Sequence, residues 1–132
     1  DGAQLWQLEG GASLARLGEA ATFGGDIDND GFGDIVLRSP GASTNGFLDN
    51  GSISVVSGVG GTILWTQDGP THGSAYGSSY KFINDIDGDG AQDMLVGVPG
   101  ESSNGLSENG AIRALSGFDG TMQWEIFGTS NF

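Results

Sequence analysis

The sequence contains no cysteine and only three prolines in 132 residues. Disulfides and thiolate metal sites are therefore unavailable, and a domain of this size must find another staple if its core is small. Lysine and arginine together number four against 17 aspartates and glutamates, a formal net charge of −13. Such a field repels a phosphate backbone and an anionic membrane surface, which argues against nucleic acid as a partner. No apolar run is long enough to span a bilayer. His72 is the only histidine and lies in a Gly/Ser/Thr-rich stretch, so a catalytic histidine dyad or a zinc site is unsupported and an ordinary exposed residue is expected. Serine is plentiful, but no nucleophile elbow or partner base accompanies it. An enzyme is not expected.

No window keeps a clean helical period, whereas glycine supplies 26 residues. Sliding the sequence against itself gives a repeat of 59. Residues 11–69 align with 70–128 at 22 identities in 59 positions without a gap, mostly Gly, Asp, Asn, Pro and Trp. Trp6 lies one repeat before Trp65, so residues 1–10 match the tail of a preceding unit, and the units are 11–69 and 70–132. Each unit reads as four short strands, in the first near 17–25, 35–37, 52–57 and 62–67, and in the second near 76–84, 94–98, 111–116 and 121–127. Asn45-Gly46, Asn50-Gly51 and Gly60-Gly61 supply turns. Four antiparallel strands in a period of this length indicate a β-propeller blade. The expected fold is therefore all-β, with two blade-type sheets and one extra N-terminal strand around Leu5-Trp6-Gln7-Leu8.

Eight of the 17 acids fall in two stretches, Asp26, Asp28, Asp30, Asp34 and Asp85, Asp87, Asp89, Asp93, each reading D-x-D-x-D-G-x-x-D. Calcium takes six to eight oxygens at roughly 2.3–2.6 Å, and carboxylates at alternate positions of a tight loop converge on one point. Glycine at the sixth place permits the sharp turn, and the backbone carbonyl of the seventh residue, Phe32 or Ala91, would add an oxygen. An EF-hand would carry Glu at the twelfth position, where this chain has Leu37 and Val96, and would need flanking helices. Two structural Ca2+ sites are expected. Trp6, Trp65 and Trp124 recur one per unit and are read as blade-to-blade packing rather than sugar platforms. Arg16, Arg38, Lys81 and Arg113 are too sparse for a basic patch, and salt-bridge or surface roles suffice for them.

These residues resemble the FG-GAP repeats of integrin α-subunit propellers and their bacterial relatives. Tyr76-Gly77 matches the Phe-Gly element, Leu17-Gly18 is a weaker version of it, and the Asp loops match the cation motif. Ser39-Pro40-Gly41 and Val98-Pro99-Gly100 stand in place of Gly-Ala-Pro, departing from it but keeping the proline. The resemblance implies that each Asp loop joins the first two strands of a blade and binds calcium, and that the protein is secreted or at the cell surface, in adhesion or recognition. Closed propellers hold more blades than two, so either the chain is a piece of a longer propeller or copies associate through exposed blade edges as a homo-oligomer or polymer. The spare strand could then add to a neighbour's edge. Three functions compete: a self-assembling surface or filament component; a recognition module using the loops at 42–50 and 101–109 to bind protein or glycan; and part of a propeller-type polysaccharide lyase. The last would need a cluster of basic and aromatic residues in a cleft, which the sequence does not offer.

Overall fold

The computed structural model describes residues 1–11 and 15–130, and among these there are eight strands and no helix. Strands β1 (Ala20–Gly25), β2 (Asp34–Ser39), β3 (Ser52–Val56) and β4 (Ile63–Asp68) pair antiparallel in the order β1-β2-β3-β4. Strands β5 (Ser79–Phe82), β6 (Met94–Val98), β7 (Ala111–Leu115) and β8 (Met122–Phe127) repeat that order in a second sheet. Each sheet is one blade, as the repeat implies, and the two share a register shift at the same place, Val55/Val56 and Ala114/Leu115. The third and fourth strands of each blade are joined by a six-residue turn, 57–62 and 116–121. Ser57 N–H donates to Thr62 O at 2.8 Å and Ser116 N–H to Thr121 O at 2.8 Å, with Gly61 and Gly120 at positive φ.

Two expectations change. β1 and β5 begin three residues later than the apolar markers suggest, because Arg16 and Gly18, and likewise Ala75 and Gly77, take φ between 53° and 81° and turn the chain before the ladder starts. The segment 1–10, expected as an extra strand, forms no strand. A fourth blade strand exists by pairing with its own third strand, and no third strand of a preceding unit stands beside it among the described residues. Trp6 nevertheless keeps its place in the repeat. Its Nε1–H donates to Gly58 O at 3.0 Å, as Trp65 Nε1–H donates to Gly117 O at 2.7 Å.

The core lies between the two blades, and they contribute opposite faces to it. Blade 1 offers Val36, Ile53, Val55 and Trp65, which share a face through the pairs Val36↔Val55 and Val55↔Trp65. Blade 2 offers Met94, Val96, Val98, Ala111 and Leu115, from the other parity of its strands, together with Tyr76. Tyr76 N–H and Ser74 Oγ both donate to Asn50 O, at 2.9 Å each, which fixes the start of blade 2 on the loop of blade 1. The Asn50 side chain is itself buried, spanning from Thr44 to Gly69 O, and Asn109 repeats this bracing in blade 2.

Arg113 takes the salt-bridge role, and takes it in a buried place. Its side chain is buried between Glu101, at 2.7 Å, and Glu125, at 3.1 Å, with the guanidinium 5.7 Å over the Tyr76 ring. One cation serves two carboxylates, and Glu101 Oε2 has no hydrogen-bond partner. The Glu101 carboxyl is pushed above the ordinary carboxylate range by desolvation above all, with Arg113 pulling it down and Glu125 pushing it further up. A raised folded-state value means that the folded protein holds a proton the unfolded chain has released. The Glu101 contribution is therefore present below an unfolded value of about 4.3 and is lost as pH rises through the folded value. Glu101→Gln should flatten this part of the curve: urea melts from pH 4 to 8 should show wild type losing stability relative to the variant as pH rises. Parallel curves would contradict the assignment.

Candidate metal centres

The two acidic loops connect β1 to β2 and β5 to β6, so each leaves the same end of its blade. Alternating Asp residues here bond to backbone N–H groups two residues on, which folds the chain into successive Asx turns. Asp28 Oδ1 accepts from Asp30 N–H and Asp30 Oδ1 from Phe32 N–H, at 3.1 and 2.8 Å, and Asp26 Oδ2 reaches across to Gly31 N–H at 3.0 Å. The second loop repeats the pattern: Asp87 accepts from Asp89 N–H, Asp89 from Ala91 N–H, and Asp85 from Gly88 and Gly90 N–H. The glycine in the sixth place, Gly31 or Gly90, sits at φ 91° or 94°, where an L side chain would be strained.

This winding brings carboxylate oxygens of Asp26, Asp28 and Asp34 within 4.8 Å of one another, and does the same for Asp85, Asp87 and Asp89. Asp30 lies outside the first of these groups and Asp93 outside the second. Phe32 is exposed and Ala91 buried, and both enter the loop hydrogen bonds through their N–H groups. The ninth-position residues have a further role that the motif alone does not reveal. Asp34 is fully buried and accepts from Ile27 N–H at 2.7 Å, Asp28 N–H at 3.3 Å and Gly58 N–H at 3.1 Å. Asp93 does the same from Ile86 N–H at 2.6 Å and Gly117 N–H at 3.1 Å. Each ties its acidic loop to the turn between the third and fourth strands.

Clustered charge shows in the titration of the loops. The carboxyls of Asp28 and Asp87 lie above the ordinary range, through desolvation first and repulsion from neighbouring Asp residues after it. Asp85 is held below that range by the N–H groups of Gly88 and Gly90. Hard oxygens gathered with insufficient positive charge nearby are a donor set suited to calcium.

Two side chains that bond to the second loop from the β7–β8 turn and from β8 were not singled out by the sequence. Gln123 Nε2 donates to Asp87 Oδ2 at 2.6 Å and Ser116 Oγ to Asp89 Oδ2 at 2.9 Å. Ser116 matches Ser57 in the repeat and was findable that way, but Gln123 replaces Leu64 and carries no such signal. At the other end of blade 1, His72 is more than an ordinary exposed residue. Its Nδ1 accepts from Leu48 N–H at 2.9 Å, and its ring meets Phe47 edge-on at 5.4 Å, bracing the loop at 42–50.

A sequence model described as the FG-GAP repeat matches residues 17–56 and 83–115, together more than half of the chain. Integrin alpha-V of Gallus gallus is 35% identical over 104 residues, covering 75% of this chain and 10% of that relative. Integrin alpha-5 of Xenopus laevis is 34% identical over 98 residues, covering 70% and 9%. A phosphatidylinositol-glycan-specific phospholipase D of Bos taurus is 32% identical over 113 residues, covering 77% and 13%. The chain thus spans about a tenth of the length of the curated relatives it matches. The matched segments fall one on each four-stranded blade, and each blade carries one acidic loop, so the chain belongs to the FG-GAP repeat family.

Proposed function

We propose that this chain is a calcium-stapled, extracellular pair of propeller blades that serves recognition and has no catalytic activity of its own. Its units are residues 11–69 and 70–132, with 1–10 as the tail of a preceding one. The observation that carries the metal is the doubled acidic loop, in which three carboxylates converge in each copy. The ligand sets are Asp26, Asp28, Asp30, Asp34 and Asp85, Asp87, Asp89, Asp93, completed by the carbonyls of Phe32 and Ala91. The cation is structural. It neutralises the loop, and through Asp34 and Asp93 it reinforces the tie to the turn that receives the preceding tryptophan. Recognition of protein or glycan belongs to the loops at 42–50 and 101–109, which leave the opposite end of the blades from the acidic loops and keep Asn-Gly at fixed places while changing side-chain character at Ala42/Glu101 and Leu48/Ser107. Kinship with integrin alpha chains supports both the recognition role and an extracellular location.

A second reading, a self-assembling structural component, is favoured by the apolar residues Ile112, Trp124 and Ile126 left exposed on blade 2.

Calorimetric calcium titration of the chain should show two sites. At extracellular affinities of ~0.1–1 mM and ~2 mM calcium, each adds on the order of 1–2 kcal/mol at the tighter end. The melting point should therefore rise in calcium and fall back in chelator. Asp28→Asn and Asp87→Asn should each weaken one site by about tenfold or more and leave the other intact. A titration without heat and a melting point indifferent to chelator would overturn the calcium reading.

A further inference from the structure

We propose that Asn45 and Asn104 are sites of spontaneous modification, each converting through a succinimide to aspartate and isoaspartate, while Asn50 and Asn109 are protected from it. Glycine follows asparagine at four places, 45–46, 50–51, 104–105 and 109–110, which are two pairs one repeat apart. By sequence the four are equal, since in each the glycine nitrogen has no side chain of its own to shield it. The fold divides them.

Asn45 and Asn104 are exposed, and each sits at φ 54° followed by glycine at φ 83° or 77°. Phe47 N–H donates to Thr44 O and Leu106 N–H to Ser103 O, at 2.9 Å each, so both asparagines occupy the second place of a tight turn with positive φ at its two central residues. Left-handed backbone is unfavourable for a residue with a Cβ, so leaving it for the ring-closing geometry costs little. A Cβ placed on Gly46 or Gly105 would meet nothing within 4 Å, and neither glycine N–H donates a hydrogen bond among the described residues.

Asn50 and Asn109 are buried, and their side chains are held at both ends. Asn50 Oδ1 accepts from Thr44 N–H, and its Nδ2 donates to Thr44 Oγ1 and Gly69 O. Ser103 and Gly128 hold Asn109 in the same way. The following glycines are engaged as well: Gly51 N–H donates to Ala42 O at 3.1 Å and Gly110 N–H to Glu101 O at 2.9 Å. A nitrogen that must lose its proton before it attacks is disarmed by such a bond, and the amide carbon it would attack cannot turn toward it. Neighbouring blades do not alter the division. Asn45 is exposed with a blade packed after its own, and Asn104 with a blade packed before its own, so the repeat leaves both open when blades stand on either side.

In the reaction the deprotonated Gly46 nitrogen attacks Asn45 Cγ. The new N–Cγ bond closes a five-membered imide as the Cγ–Nδ2 bond breaks, and ammonia leaves with a proton from water. Water then opens one of the two imide C–N bonds, giving aspartate or isoaspartate. Gly105 and Asn104 react alike. Each conversion adds one negative charge, and at Asn45 it replaces the bond from Nδ2 to Asp68 Oδ2, at 3.3 Å, by two facing carboxylates. Both turns lie in the loops assigned above to recognition, although the modification itself does not rest on that assignment.

Incubation of the intact 132-residue chain at about pH 8 and about 37 °C for several weeks, folded and in concentrated urea, tests this. Peptide mapping by mass spectrometry reads the gain of about one dalton at each asparagine, and enzymatic methylation reads isoaspartate. In the folded chain, residues 45 and 104 should convert at least tenfold faster than 50 and 109, and in urea the four rates should fall within about threefold of one another. Equal rates at all four in the folded chain, or asparagine retained at 45 and 104 while the unfolded chain converts, would overturn the proposal. So would a tenfold difference that persists in urea, since local sequence and not the fold would then set it.

Discussion

Asp34→Ala is expected to destabilise the chain by about 3–5 kcal/mol, since it strands one buried and two partly buried backbone N–H groups that now share one carboxylate. In a domain of this size that is a fall in melting point of roughly 10–20 °C. Asp93→Ala should behave alike, losing the bonds to Ile86 and Gly117 N–H. The loss should persist in excess chelator, because the bonds run to the backbone and hold the loop whether or not a cation is bound. Asp28→Asn differs: its carboxylate bonds within the loop alone, so its melting point in chelator should match wild type and diverge only when calcium is added. Thermal melts of the three variants with calcium and with chelator separate the roles. An Asp34→Ala defect seen only in calcium would make that residue a ligand and nothing more, against the geometry described above.

Trp65→Ala carries the second large effect, about 3–5 kcal/mol for a buried aromatic in the interblade core. Its ring lies on Gly120, where a Cβ would come within 2.8 Å of the indole, and its Nε1–H holds Gly117 O across 52 residues. The indole therefore joins the two sheets both by area and by a directed bond. Trp65→Phe should recover most of the packing and lose about 1 kcal/mol with the hydrogen bond. Trp6→Ala, made at the same position of the repeat but only partly buried, should cost about 1 kcal/mol or less. Denaturant melts followed by circular dichroism rank the three. Equal losses for Trp65→Ala and Trp6→Ala would mean that the interblade core is not the seat of stability.

Much of the fold was legible before any coordinates. Turn residues recur at fixed places, β-branched residues mark the strands, and the 59-residue offset carries one acidic loop onto the other, so two sheets of four strands followed from local chemistry. The acidic loops were equally plain, because Asx turns and a positive-φ glycine are properties of a short segment. What stayed hidden needed neighbours far along the chain. Asp34 looked like one carboxylate among four, and its bond to Gly58 N–H depends on a turn 24 residues away. His72 looked like a loop residue, and its acceptor role depends on Leu48, also 24 residues away. The segment around Trp6 has strand-forming residues, but a strand is defined by its partner, and none stands beside it among the described residues.

The sequence by itself determined that this is a two-unit, all-β, acidic repeat with glycine-pivoted Asp loops and one tryptophan per unit, since each of those features is written in composition, in a short segment, or in its recurrence 59 residues on. Tertiary structure alone decided which face of each sheet is buried. Alternation along a strand allows either face, and nearly the same repeat buries Val36, Ile53 and Val55 in blade 1 but Met94, Val96 and Val98, of opposite parity, in blade 2. It also decided that Arg113 is enclosed between Glu101 and Glu125 and that Trp6 and Trp65 occupy equivalent seats while Trp124 is 41% exposed. The reason is that burial is a property of what packs against a surface, and the two copies of one pattern meet different neighbours: each blade turns toward the shared core the face that the other blade covers.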